Sequence, residues 1–84
     1  MKELKQLKEE YKRAPVMRRA IEQAIGKYGE DAQALVVGGQ PSFRRGSNCR
    51  GAAEYLGWQE YDIFVGAKRQ YASMGNLNVL VRLK

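Results

Sequence analysis

Histidine is absent from this chain, and cysteine occurs once, at Cys49. Without histidine there is no Ser-His or Cys-His pair and no zinc site of the usual ligand set, which removes most hydrolase chemistry. A single cysteine closes no internal disulfide, and no long apolar run follows the charged start. Neither a secretory signal nor a membrane span is therefore expected, and the cytoplasm is the expected compartment. Acids are also short: nine Asp and Glu stand against fifteen Lys and Arg, a formal charge of +6 over 84 residues. That excess draws polyanions, acidic protein faces or anionic lipid. A chain of this length makes one domain, residues 1–84, and buries only about 60–65% of the surface it exposes when unfolded, so its core is small.

What is present begins with helix. Leu4, Leu7 and Tyr11 recur at helical spacing among charges over residues 1–13, a narrow apolar stripe whose leucine seam makes a second copy of the chain a candidate partner. Pro15 has no N–H to donate and disfavours helix at Ala14, so a second helix is expected after it. That helix carries Met17, Ala20, Ile21, Ala24, Ile25 and Tyr28 on a wider face, and residues 1–29 form a helical N-terminal segment. Ala34-Leu35-Val36-Val37, bounded by Gly38-Gly39, reads as a central strand buried on both faces. A short helix follows, capped by Ser47 or Asn48, continued by Ala52 to Leu56 and stopped at Gly57. Alternation of Tyr61, Ile63 and Val65, then of Leu77, Val79, Val81 and Leu83, predicts two strands paired as a hairpin through a Met-Gly-Asn turn. The expected fold is α+β: two N-terminal helices, then a β-α-β-β core over 30–84, with a three-stranded sheet covered by helices on one face.

Chemistry concentrates in Gly38 to Gly51, which holds four of the nine glycines together with Arg44, Arg45 and Arg50. If the strands before and after the short helix are parallel, their C-terminal ends share a sheet edge with that helix's N-terminus. Lys68 and Arg69 then join Arg44, Arg45 and Arg50 beside free helix amides, a setting that suits phosphate or carboxylate. Phe43 and Tyr71 stand next to these basic groups as candidates for stacking on bases. An antiparallel arrangement would send Lys68 and Arg69 to the other edge. Cys49 sits among arginines at a helix start, but Tyr55 stands six residues on where a phosphatase loop needs Arg, so it reads as an incidental thiol. Glu54, Glu60 and Asp62 have no metal-ligand spacing, and neither metal nor cofactor is expected.

A second reading covers residues 49–68. Small Ala53, a turn glycine at Gly57 four residues on, and Ile63 six further resemble the first half of the helix-turn-helix of phage repressors and excisionases. The resemblance implies a recognition helix over 59–68 and DNA as partner. The composition of Tyr61 to Val65 implies strand instead. Either way, no set of acid, base and nucleophile is visible, so the chain is not read as an enzyme. The expected function is non-enzymatic nucleic-acid binding, in a regulator, through Arg44, Arg45, Arg50, Lys68 and Arg69. The alternative is a small protein-binding inhibitor of the kind phages and mobile elements encode, such as an anti-CRISPR protein, aimed at an acidic or nucleic-acid-binding surface of a host complex.

Overall fold

Pro15 divides the helical N-terminus in two, as its missing N–H requires. In the computed structural model, which describes residues 1–39, 42, 44, 46–68 and 76–83 with backbone alone at 67 and 68, the elements run β1 (Lys2–Glu3), α1 (Leu4–Glu10), α2 (Pro15–Tyr28), β2 (Gln33–Gly39), α3 (Asn48–Leu56), β3 (Tyr61–Lys68) and β4 (Asn76–Arg82). The start of the chain departs from the helical expectation. Lys2 and Glu3 pair antiparallel with Ala34 and Gln33 as a short edge strand. The first amides of α1 are then satisfied outside the helix: Leu4 donates to the Ala32 carbonyl and Lys5 to that of Glu30, each at 3.0 Å. Gln6 Oε1 accepts the Glu3 N–H at 2.9 Å, completing a capping box that stops the strand and starts the helix.

The sheet has four strands in the order β1-β2-β4-β3, every neighbour antiparallel. This corrects the expected three-stranded sheet in two ways. The first is the β1 edge. The second is the position of β4, which lies between β2 and β3, with Leu35 opposite Leu80 on one side and Ile63 opposite Leu80 on the other. The hairpin of β3 and β4 is formed as expected, although the Met-Gly-Asn turn falls outside the described residues apart from Asn76 at the start of β4.

Helices cover both faces, not one. Leu4, Leu7, Met17, Ile21 and Ala24 of α1 and α2 pack on Ala34, Val79 and Val81. On the opposite face Cys49 and Ala53 of α3, with Trp58, pack on Val37 and Leu80. The reason is β2 itself: Ala34 and Val36 face one layer while Leu35 and Val37 face the other, so both sides of the strand need cover. Phe64 lies beneath α2, and Tyr61, Leu80 and Trp58 beneath α3, so each face of the sheet is covered by the chain's own helices.

Residues 61–68 are strand, which removes the helix-turn-helix reading. Their alternation sends Ile63 toward α3 and Phe64 toward α2, a period of two that no recognition helix would use. Gly57, at φ +75°, ends α3 in the left-handed region, and the Trp58 N–H donates to the Ala53 carbonyl at 2.8 Å.

Asp62 ties α2 to β3. Its carboxylate accepts from Tyr28 Oη at 2.6 Å, from Lys27 Nζ at 3.0 Å and from the Ile63 N–H at 2.8 Å. The Tyr28 ring meets Phe64 edge-on, with centroids 6.2 Å apart. Burial alone would push this carboxyl up, but these hydrogen bonds and the Lys27 charge together hold it below its usual value. The stabilisation is thus complete above the unfolded carboxyl's pKa, about 3.9, and is lost as the pH falls from there through the lower folded value. Thermal unfolding followed from pH 6 to pH 2 is expected to show this loss, and Asp62→Asn is expected to flatten the acid limb. Within β3, a Cβ on Gly66 would meet the Met17 thioether and stand 2.9 Å from the Leu77 carbonyl oxygen. A backbone carbonyl cannot step aside, so Gly66→Ala is expected to cost about 2 kcal/mol in urea denaturation.

Candidate anion-binding edge

The insertion of β4 decides the question of strand direction. Both β2 and β3 are antiparallel to β4 and hence parallel to one another, a strand-helix-strand unit split by a third strand. Their C-terminal ends therefore share an edge of the sheet. Gly39 and Lys68 are both register partners of Asn76, which sets the three backbones in one row about 10 Å wide. A bulge inserts one extra residue between Val65 and Lys68, re-phasing the strand at this edge.

The N-terminus of α3 is fastened to the same edge. Ser47 is its N-cap, its Oγ accepting the Arg50 N–H at 3.1 Å while donating to the Ser42 carbonyl. Asn48 Nδ2 donates to the Gly38 carbonyl at 2.8 Å, and its side chain lies so close to Gly39 that a Cβ there would stand 2.5 Å from Nδ2. Gly39, at φ +126°, is thus required twice, by its backbone conformation and by this approach. Below the helix start, the fully buried Asn78 donates through Nδ2 to the carbonyls of Gly39 at 3.0 Å and of Val37 and Asn76 at 3.3 Å each. Its Oδ1 has no hydrogen-bond partner among the described residues. Asn78 is the structural anchor of this edge that sequence reasoning missed; the one signal for it was an amide standing between Leu77 and Val79 in an apolar strand.

The expected basic residues are only partly assembled. Arg44 is exposed, and it has no ion-pair partner among the described residues. Its backbone N–H donates to Ser42 Oγ at 3.0 Å and its carbonyl accepts the Ser47 N–H at 3.1 Å, so the loop is braced around it. Arg50 is directed along α3 instead: its Nε donates to Glu54 Oε1 at 2.8 Å, one turn further on. There it joins the wall of a cleft of about 540 Å³ with Trp58, Glu60, Tyr61 and Leu83, at the opposite end of β3 from Lys68. For Lys68 the row across the sheet places the backbone. Arg45 and Arg69, and the stacking candidates Phe43 and Tyr71, lie outside the described residues.

Glu54, Glu60 and Asp62 are not brought together. Glu54 and Glu60 line the cleft, whereas Asp62 is held by α2 on the other face of the sheet. Among the described residues no three His, Cys, Asp or Glu gather, and no helix is long and apolar enough to cross a membrane. The chain matches no protein-family model, no curated protein and no solved structure.

Cys49, in the first turn of α3, is fully buried against the sheet. Burial pushes its thiol up, against an opposing hydrogen bond with Asn78, which is the reverse of what a nucleophile needs. Alkylation by iodoacetamide at pH 8 is therefore expected to run at least about a hundredfold slower in the native protein than in urea, the ratio following the population of opened protein.

Proposed function

We propose that this protein is a small non-enzymatic nucleic-acid-binding protein that holds phosphate with the loop before α3 and the adjoining ends of β2 and β3. One observation carries the reading. The C-terminal ends of β2 and β3 and the N-terminus of α3 share an edge, with Gly39, Asn76 and Lys68 in register across it and Arg44 exposed beside it. Backbone amides at a helix start and basic side chains around them are the donors that phosphate oxygens accept from. The net charge of +6 supplies the long-range attraction.

Within this proposal the contacts are to the backbone of the nucleic acid, which gives affinity without base reading. Arg44, Arg45, Lys68 and Arg69 are assigned to phosphate, with Phe43 and Tyr71 to stacking. Arg50 takes a lesser part, since an anion must draw it from Glu54, an exposed pair worth well under about 1 kcal/mol.

A salt titration against duplex DNA, single-stranded DNA and RNA of matched length tests the proposal. Binding is expected to be strongest at about 50 mM salt and to fall linearly on a log-log plot. Replacing Arg44 and Arg45 together by Ala is expected to weaken binding to every sequence alike and to flatten the slope by about two. No binding at the lowest salt would remove the reading; an unchanged slope would move the contact off this loop.

A further inference from the structure

On the reading of this edge as a phosphate site, we propose that Asn78 is its positioning residue: from inside the core the Asn78 amide holds the end of β2, and so sets the first N–H groups of α3 to receive a phosphate group. Asn78 lies in β4, the strand between β2 and β3, and is fully buried. Its Nδ2 stands 3.0 Å from the Gly39 carbonyl oxygen and 3.3 Å from those of Val37 and Asn76, so its two protons are shared among three acceptors. Exchanging the two ends of the amide would set Oδ1 against the same carbonyl oxygens, which fixes the orientation. Oδ1 is left buried with no partner among the described residues.

That arrangement is poor for the fold. A buried acceptor without a donor keeps its desolvation cost, and the low-dielectric surround makes the cost larger. Valine at this position would suit a strand and lie beside Leu80 under α3 with neither donor nor acceptor to satisfy. What the amide contributes is the arrangement of the carbonyls around it.

Those carbonyls matter because an anion at this edge is repelled by acceptors and held by donors. Asn78 takes the oxygens of Val37, Gly39 and Asn76, and Asn48 takes that of Gly38 at 2.8 Å, so two side-chain amides bind all four. The same bonds lock the start of α3 onto the end of β2, at the glycine whose φ of +126° admits Asn48. Of the first amides of the helix, that of Arg50 goes to Ser47 Oγ at 3.1 Å. Those of Asn48 and Cys49 have no partner among the described residues, and they stand at the positive end of the α3 dipole beside the loop that exposes Arg44. Acceptors are thus bound from within and donors are left for the phosphate, by two neutral side chains that add no charge of their own.

Inorganic pyrophosphate, followed through the backbone N–H signals of the whole chain, tests the positioning. In the native protein it is expected to shift Asn48 and Cys49, with Gly39 beside them. Asn78→Val removes the donor and the orphaned acceptor together. This variant is expected to unfold at the same urea concentration as the native protein or a higher one, yet to bind pyrophosphate at least about tenfold more weakly. A merely structural residue would lower both. Because the amide is neutral, nucleic-acid affinity is expected to fall by one factor at every salt concentration with the slope unchanged, whereas loss of Arg44 and Arg45 alters the slope. Asn48→Ala, at an exposed position, keeps the backbone N–H and loses the tie to Gly38; about a fivefold weakening is expected. No shift at Asn48 and Cys49 in the native protein, unchanged pyrophosphate binding in either variant, or earlier unfolding of Asn78→Val would each overturn the positioning. Pyrophosphate bound there without nucleic-acid binding would remove the nucleic-acid reading and leave the positioning intact, and nucleic-acid binding with no such shifts would do the reverse.

Discussion

The structure depends on the last strand occupying the middle of the sheet. Before β4 is in place, β2 and β3 have no common neighbour, and neither helical layer has a floor. Val79 and Val81 support α1 and α2, and Leu80 and Asn78 lie under α3, so alternate residues of one seven-residue strand serve both cores. The ladder from Ala34–Val81 to Gly39–Asn76 on one side and from Tyr61–Arg82 to Val65–Asn78 on the other leaves β4 no free edge over its length. Folding on this plan is non-local: the strand that joins the halves is distant in sequence from β2, and loop closure must precede their pairing.

Local pattern carried much of this. The wide stripe from Met17 to Tyr28, the proline before it, the glycine after α3 and the alternation in β3 and β4 are each set by a few neighbouring residues, and each element formed where its period placed it. The strand order was not legible in the same way, because a hairpin between β3 and β4 constrains nothing about β2. Yet one clue was available. A run such as Ala34-Leu35-Val36-Val37 with no polar side cannot be content with helices on one face, and reading it as buried on both faces already called for a second layer. The two-residue β1 carried no period at all, since its pairing is decided by carbonyls of Glu30 and Ala32 nearly thirty residues away.

The site was legible in composition more than in geometry. The cap, which the sequence left between Ser47 and Asn48, is Ser47, and β2 and β3 take the parallel relation that the sequence offered as one of two alternatives. Arg50 did not behave as its position suggested, because a glutamate four residues on is the nearest compensating charge for an arginine in the first turn of a helix, where the dipole repels it. Asn78 was hidden because burial of an amide depends on which carbonyls end beside it, and those of Val37 and Gly39 arrive only when the sheet is assembled.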